Sequence, residues 1–582
     1  MGPNRPSPYR SIEPVKQGQA IRRTRVSLQR FGLIQFLLFL GFLTISFQIL
    51  QLTLFHHSSL VERATSQYRL AVEIPPLRGA ILDRQGRGLA INLKVPSVYA
   101  VPRLLSSGEK ASLAQELAST LSLSHSFVRE RLARNKAFVW IKRRVSVEEA
   151  KKIDSLGHPA LGILYEYKRF YPHGQLLANV LGFTNVDNQG IEGIERMRDD
   201  QLRGKPGTRS SRRDALGREI KAFEEQMIPA LHGHRIVLTI DRYLQYVTER
   251  ALERAYRKWK AKGATAILMN PQNGEILAMA TRPTFDPNTP GDFPFDHYRN
   301  RGVTDMFEPG SVFKIVTAVA VLNERKVKMT EKIDCESGQW RWGLKTLHDV
   351  HEYGLLSFPE IITKSSNIGT TKLASRLKPA TLYRYVKGLG FGKKTGIDLE
   401  GEASGFIRPP REWSKTSPYA IPIGQEVQVT SLQLAQAISL IANGGYRVKP
   451  HVIDRIEDIH GVTLRKESPA REGPQLEPAV LEVLKEILWR ATEEGTGKNA
   501  RVKGIPLAGK TGTGQKILEN GKGYSHSNFV GSFIGFAPAD HPLLAMVVVI
   551  DDPHPLYYGG TVAAPVFSEV AEAALAHLGY TP

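Results

Sequence analysis

A turn and an apolar run follow one another at residues 307–322: Phe307-Glu308-Pro309-Gly310-Ser311-Val312-Phe313-Lys314 leads directly into Ile315-Val316-Thr317-Ala318-Val319-Ala320-Val321-Leu322. Proline and glycine ahead of a periodic run predict a turn that places Ser311 at the start of a helix. The run is apolar on nearly every side, which is typical of a helix buried at the centre of a domain. Lys314 is therefore predicted to be a buried or half-buried amine.

Ser311 and Lys314 have the chemistry of an activated nucleophile. Their spacing of three residues places the two side chains one turn apart on the same helix face. Burial lowers the pKa of a lysine, and a neutral amine beside a hydroxyl is a general base. The helix start adds free N–H groups and a positive dipole end where an oxyanion can form. The alternative, an N-cap serine with a lysine that reaches solvent, is disfavoured by the apolar flanks.

Two further short runs follow in order, Ser365-Ser366-Asn367 and Lys510-Thr511-Gly512-Thr513. After the second run, residues 529–536 and 543–550 read as strands, so the second run is predicted to form one edge of a cleft. Its lysine supplies positive charge, its two threonine hydroxyls can bind a carboxylate, and its glycine lets a substrate backbone come close. Together the three runs predict a serine acyl-transfer site.

The same tripeptides occur elsewhere, so order and surroundings decide between them. Ser107 to Lys110 precedes an ordinary amphipathic run, and Ser375 to Lys378 comes after the S-x-N run. Lys394-Thr395-Gly396 lies in a glycine-rich stretch that favours a solvated loop. We interpret all three as structural.

With these motifs in this order, the chain resembles the penicillin-binding proteins and the related serine β-lactamases. Other segments are similar to the class B members, which implies an α/β (α+β) fold. The transpeptidase domain would have an antiparallel sheet flanked by helices and would follow an elongated α+β pedestal. The segments that carry this resemblance are Gly274–Met279, Pro283–Asn288, Val429–Ala435 and Val562–Phe567 for the transpeptidase domain, and Pro76–Arg84 and Gly190–Glu195 for the pedestal.

The resemblance implies a role for each motif residue. Ser311 would attack a stem peptide ending in D-Ala-D-Ala, Lys314 would take its proton, and Ser365 with Lys510 would protonate the departing D-Ala. The remaining contacts would be made by Asn367 to the substrate amide and by Thr511 and Thr513 to the terminal carboxylate, beside Gly512. Penicillins would mimic the donor and trap the nucleophile. Ser366 is interpreted as structural.

One position departs from the resembled pattern. Gly424-Gln425-Glu426 has glutamate where relatives often carry the second glycine of Gly-x-Gly. The departure leaves the catalytic set intact but predicts a different local loop shape.

The N-terminal part predicts a membrane anchor. Residues 31–54 are almost continuously apolar and long enough to cross a bilayer as one helix. Arginines precede this segment, so the basic tail 1–30 is predicted to be cytoplasmic and the remainder exported. No small-residue cleavage site follows, which favours an uncleaved signal anchor. The predicted domains are then the noncatalytic, dimerisation-like pedestal 55–235 and the transpeptidase domain 236–582.

Charge and composition exclude other classes of site. The formal net charge is +21, but there is no nucleic-acid-binding motif, and anionic lipids or wall polymers are the expected counterparts. Cys335 is the single cysteine and is interpreted as structural. The histidines show no ligand spacing, so neither a metal nor another cofactor is expected.

Four classes of function compete. The favoured one is a monofunctional peptidoglycan transpeptidase of the cell-division (FtsI) type, in the inner membrane with its catalytic domain outside the cytoplasm. By resemblance, its partners would be stem peptides, β-lactams, the membrane, the septal glycosyltransferase FtsW and other divisome proteins. The elongation-type transpeptidase is the alternative within the family. A hydrolase (carboxypeptidase or β-lactamase), a β-lactam sensor and a divisome scaffold are the alternatives outside it.

Overall fold

The computed structural model describes residues 20–213, 219–220, 226–342, 345–473, 475–518 and 523–581, and the basic tail up to residue 19 lies outside them. Two compact units divide the chain. The first comprises Met1–Ile74 and Thr208–Pro229, and the second comprises Pro75–Gly207 and Ala230–Pro582.

The first unit contains the predicted membrane segment. Within its first helix, Arg30–Leu54 is a 25-residue span of mean hydropathy 2.1 that contains no buried residue in its most apolar window. A small sheet follows, in which Gly207–Arg213 has antiparallel partners in Glu219–Ile220 and Gln226–Ile228. The helices and the remaining strand of this unit are Ala20–Leu54, His57–Tyr68 and Arg69–Ile74.

The second unit is built around a five-stranded antiparallel sheet, here called the central sheet. Its side chains alternate between two cores because successive residues of a strand point to opposite faces. Ile267 and Val547 lie in the front core, whereas Ala266 and Val548 lie in the back core. In spatial order the strands are Ile276–Arg282, Gly263–Met269, Leu544–Asp551, Tyr524–Ala537 and Ala508–Ile517.

Helices cover both faces of the central sheet, as expected for the predicted fold class. The back is covered by Arg242–Lys258 and Ala564–His577. On the front, Ser431–Ala442 packs against the sheet and is buried along its whole length. The other helices of at least six residues on this side are Lys314–Asn323, Phe358–Thr363, Asn367–Ala374, Pro379–Gly388 and Pro478–Glu493.

Short elements connect these layers. The brief helices are Arg301–Thr304, Ser417–Ala420 and Gly559–Val562, with single 3-10 turns at Pro290–Asp292, Phe295–His297, Gly310–Phe313, Pro410–Glu412, Ile421–Ile423 and Lys498–Ala500. The two-stranded pairs are Lys332–Asp334 with Leu355–Ser357, Gln339–Trp342 with Lys345–His348, Phe406–Ile407 with Val427–Gln428, and Arg447–Val448 with Arg471–Glu472.

A seven-stranded sheet joins the part before residue 235 to the part after it. Its strand Arg235–Leu238 runs parallel to Ile81–Leu82 on one side and antiparallel to Ile453–Glu457 on the other. The sheet is completed by Thr463–Lys466, Gly88–Ala100, Val139–Lys142 and Leu161–Phe170. The helices before residue 235 in this unit are Ser107–Thr120, His125–Ala133, Val147–Ser155, Ala178–Leu181, Gly193–Met197 and Asp199–Leu202, with the 3-10 turn Pro102–Leu104.

A buried ionic cluster ties the two pedestal segments of the sequence analysis to each other. Arg78 Nε donates to Glu195 Oε2 over 2.7 Å, and Arg169 Nε donates to Glu195 Oε1 over 2.6 Å. The side chains of all three residues are at most 2% exposed. Removing one partner of such a group leaves a buried charge uncompensated, which costs far more than the pair itself contributes.

We expect Glu195→Ala to lower the free energy of unfolding by about 3–5 kcal/mol, because the buried guanidinium of Arg169 loses its carboxylate and Arg78 keeps only Asp199. Glu130→Ala is the matched control, since it removes an exposed ion pair with Arg134 and should change stability little. Thermal unfolding of the two variants and the wild type measures the difference. Equal losses in both variants would contradict the role given to the cluster.

Candidate active site

Ser311 lies where the sequence predicts, at the start of the buried helix. The 3-10 turn Gly310–Phe313 runs directly into Lys314–Asn323. Gly310 has a φ of +56°, and a Cβ atom placed on it would lie 2.5 Å from the carbonyl oxygen of Thr513. Only glycine combines this backbone conformation with so close an approach. The turn therefore presses the nucleophile candidate against the strand that carries K-T-G.

Lys314 is fully buried, as predicted. Its Nζ donates to the carbonyl oxygen of Ser365 over 2.5 Å and lies 3.2 Å from Ser365 Oγ. Burial holds the pKa of Lys314 well below its ordinary value, and the charge of Lys510 lowers it further, while Asp349 opposes the shift. The amine is thus set up to accept a proton.

Ser365 joins the two lysines. Its Oγ accepts a hydrogen bond from Lys510 Nζ over 3.0 Å, in addition to the contact with Lys314. The residue has a φ of +62°, a conformation that costs a residue other than glycine on the order of 1–3 kcal/mol and is often kept at functional sites. Lys510 is also fully buried, and burial lowers its pKa to about 7.

Ser366 and Asn367 begin the next helix, Asn367–Ala374. Ser366 Oγ caps that helix by accepting from Gly369 N–H over 2.9 Å, and it donates to Asp349 Oδ2 over 2.6 Å. Ser366 is buried, in agreement with its interpretation as structural. Asn367 is half-buried and its Nδ2 donates to the carbonyl oxygen of His348 over 2.8 Å.

The K-T-G run lies on the edge strand Ala508–Ile517 of the central sheet. Thr511 Oγ1 is 2.6 Å from Thr496 Oγ1, and Thr513 Oγ1 accepts from Gly559 N–H over 3.2 Å. The space beside Gly512 is filled by protein, since a Cβ atom there would lie 2.8 Å from the carbonyl oxygen of Pro309. Gly512 therefore makes room for the 3-10 turn Gly310–Phe313, here called the nucleophile turn because it presents Ser311. This reason for a glycine differs from the predicted one, which was the approach of a substrate backbone.

The repeated tripeptides lie apart from this constellation. Ser107 begins a helix whose N-cap is Ser106, and Lys110 is only half-buried there. Thr395 lies in a loop, where its N–H and hydroxyl donate to Glu402. Both runs thus lie on elements other than those that carry Ser311, Ser365 and Lys510.

Sequence reasoning missed three residues at this site. Asp349 accepts from the N–H of Asn367 and so holds the S-x-N turn, and Thr496 pairs with Thr511. Glu308, in the turn before the nucleophile, accepts from Glu426 N–H over 3.0 Å and from the Tyr524 hydroxyl over 3.2 Å. Burial raises the pKa of Glu308 to about 7. Its place three residues before Ser311 is the one signal that the sequence offered.

The chain matches two family models, the penicillin-binding protein transpeptidase domain over residues 264–572 and the penicillin-binding protein dimerisation domain over residues 73–238. The chain is a class B penicillin-binding protein of the FtsI type. It is accordingly a transpeptidase and carries the transpeptidase fold of that family.

Among similar proteins, stage V sporulation protein D of Bacillus subtilis is 36% identical over 526 residues, which cover 87% of this chain and 79% of that protein. Peptidoglycan D,D-transpeptidase FtsI of Escherichia coli K12 is 32% identical and covers 88% of this chain and 85% of its own length. A crystal structure of penicillin-binding protein 3 from Mycobacterium tuberculosis, complexed with aztreonam, matches with a TM-score of 0.67 at 27% identity, over 88% of this chain and 98% of that one.

We expect Glu308→Gln to be more stable than the wild type at pH 8 by up to about 3 kcal/mol and nearly equal to it at pH 4. The pKa of Glu308 is raised from 4.5 to about 7 in the folded chain. The stability tied to its proton is therefore present at low pH and is lost as the pH rises from 4.5 to 7. The glutamine side chain of this variant would keep an oxygen for both donors without carrying a charge.

Thermal unfolding of the full chain in detergent at both pH values measures this effect. Glu412→Gln is the control because Glu412 is exposed on the same domain. A difference between Glu308→Gln and wild type that is the same at pH 4 and pH 8 would contradict the prediction.

Proposed function

We propose that the chain crosslinks peptidoglycan stem peptides through an acyl-enzyme on Ser311, during synthesis of the division septum. The observation that carries the proposal is the contact of Ser365 Oγ with two buried amines, Lys314 and Lys510, behind the turn that presents Ser311. The names of the relatives support the substrate, since the Escherichia coli relative is a peptidoglycan D,D-transpeptidase.

In acylation, Ser311 Oγ attacks the carbonyl carbon of the penultimate D-Ala, and its proton passes to Lys314. Lys510 and Ser365 return a proton to the departing D-Ala amine. The burial of both lysines supports these roles, because each pKa is lowered toward the range in which an amine exchanges protons near neutral pH. The backbone N–H groups of Ser311 and Thr513 are assigned to the oxyanion.

The donor peptide is assigned to the edge of Ala508–Ile517. Thr511 and Thr513 hold its terminal carboxylate beside Lys510, and Asn367 holds its amide. In the second half of the reaction, the acceptor amine attacks the acyl carbon. The ester bond to Ser311 Oγ breaks and the amine proton returns to that oxygen.

The place of action is proposed from the first unit. The chain is membrane-anchored through Arg30–Leu54. The arginines ahead of this span support a cytoplasmic N-terminus in the inner membrane and an exported catalytic domain. We assign one activity to the chain, and a membrane glycosyltransferase, FtsW, with other divisome proteins as partners. The FtsI-type relatives support this assignment.

A fluorescent penicillin tests the nucleophile. We expect the full chain to form an adduct that persists for hours, and Ser311→Ala to abolish it, because the acylated oxygen is gone. Ser107→Ala is the matched control, as it removes the serine of the other early S-x-x-K run and should label like wild type. Gel fluorescence and intact mass measure the adduct.

Labelling that survives in Ser311→Ala would overturn the nucleophile assignment. Release of the adduct within minutes would identify a β-lactamase instead. Because a sensor would also label stably, formation of a crosslinked product from two stem peptides is the second readout, and its absence in the wild type would overturn the transpeptidase mechanism.

A further inference from the structure

A second recess, here called the aromatic pocket, lies next to the nucleophile turn. Its volume is about 130 Å³, and its wall includes four large aromatic rings and one carboxylate that the catalytic roles above leave unused. The loop that closes it is bonded directly to the nucleophile turn, because Gly310 N–H donates to the carbonyl oxygen of Gly424 over 3.1 Å. The principal lining residues are Trp340, Trp342, Tyr419, Gln425, Glu426 and Tyr524.

The aromatic side of the pocket is a packed wall. The rings of Trp342 and Tyr419 lie 3.5 Å apart between centroids, with 33° between their planes, and Trp340 lies 5.9 Å from Tyr419. Lys372 places its ammonium 5.4 Å from the centroid of Trp340. Because Lys372 already occupies the face of Trp340 as a cation, this wall offers a ligand apolar ring surface for its aliphatic part and not a further cation–π site.

Glu426 supplies the polar end of the pocket. Its carboxylate is half-buried and accepts from the hydroxyls of Ser417 over 2.5 Å and Thr416 over 3.4 Å. Among the side chains that the structure describes, no lysine or arginine forms an ion pair with it. Two hydroxyls orient this carboxylate while its charge stays uncompensated by those side chains, as expected of a site that receives a cation.

The backbone at Glu426 strengthens this argument. Its φ is +58°, where glycine is unstrained and a glutamate is not. Glutamate therefore stands at this position in spite of its backbone cost. The carboxylate is the group that glycine would lack.

The pocket borders both halves of the catalytic constellation. The Glu426 N–H and the Tyr524 hydroxyl both donate to Glu308, three residues before Ser311. On the other side, the hairpin that carries Trp340 and Trp342 ends at His348, whose carbonyl oxygen accepts from Asn367. The lining includes no residue of Ala508–Ile517, so a donor peptide along that strand leaves the pocket free.

We propose that the aromatic pocket is the acceptor subsite, and that it binds an alkylammonium side chain of the second stem peptide. The aliphatic part of that side chain packs on Trp342 and Tyr419, and its ammonium group pairs with Glu426. This inference rests on the proposed function, because an acceptor is needed only if the acyl-enzyme is resolved by an amine. A hydrolase needs no such pocket.

The test measures how one acyl-enzyme divides between two fates. The full chain in detergent is acylated with a thioester donor peptide, and acceptor tripeptides whose third residue is lysine or diaminopimelate are titrated in. The acceptor concentration that gives half-maximal aminolysis is compared in wild type, Glu426→Gln and Glu426→Gly, with Glu412→Gln as the control. Glu426→Gly is included because glycine suits the backbone at +58° and so protects against a folding defect.

We expect the acceptor concentration that gives half-maximal aminolysis to rise about tenfold in both Glu426 variants, because each variant loses one partly desolvated ion pair with the acceptor. In Glu412→Gln it should stay at the wild-type value. Equal values in all four proteins would overturn the acceptor subsite. A wild type that is not acylated by the donor, or that only hydrolyses it, would instead overturn the proposed function, and this outcome is seen before any variant is made.

A measurement on the wild type alone provides the second arm. Pentyltrimethylammonium has an aliphatic chain and a permanent positive charge but no nucleophilic nitrogen, and 1-pentanol is its uncharged counterpart. We expect the cation to compete with the acceptor and to leave hydrolysis of the acyl-enzyme unchanged, whereas the alcohol should compete far less. Equal competition by both compounds would show an apolar pocket without cation recognition and would overturn the role of Glu426.

Discussion

Two lysine side chains, Lys314 and Lys510, are buried on the front side of the central sheet. Their hydrogen bonds go to neutral oxygen atoms and not to a carboxylate. Lys314 reaches the carbonyl oxygen and hydroxyl of Ser365, and Lys510 reaches the same hydroxyl and the carbonyl oxygen of Thr511. A carboxylate partner would stabilise the ammonium forms and raise both pKa values. In its absence from these bonds, burial lowers the pKa of both amines. The burial that costs stability is therefore the same feature that makes the two amines readier to give up a proton.

This arrangement requires that the nucleophile turn and the edge strand of the central sheet come unusually close. Gly310 and Gly512 both lie at that contact: a Cβ atom on Gly310 would overlap the backbone of Thr513, and one on Gly512 would overlap the backbone of Pro309. This close contact brings together the separate elements that carry Ser311 and Lys510. The glycines of the two motifs are thus part of the packing between layers.

The runs proposed to be catalytic could be found from sequence because they carry local signals. Ser311 follows a proline-glycine turn before an apolar helix, and Lys510 precedes two strands with clear turn boundaries. The apolar runs 529–536 and 543–550 likewise predicted two strands that the central sheet contains. Thr496 and Asp349 gave no such signal, because their importance comes only from partners that are distant in the chain. The close approach at Gly512 depends on the fold in the same way, which is why sequence alone suggested a different reason for that glycine.

The relation of the pedestal to the catalytic part follows from strand pairing. A boundary at residue 235 falls at the edge of a strand, Arg235–Leu238, that pairs with Ile81–Leu82 before it and with Ile453–Glu457 far after it. The front core also contains residues from both sides of that boundary, including Ile81, Leu202 and Val316. Separating the two parts would break backbone ladders and expose a shared core, so they do not behave as modules joined by a linker. The segment Pro76–Arg84 therefore helps to support the part of the chain that follows residue 235, because its strand Ile81–Leu82 pairs directly with Arg235–Leu238 in the same sheet.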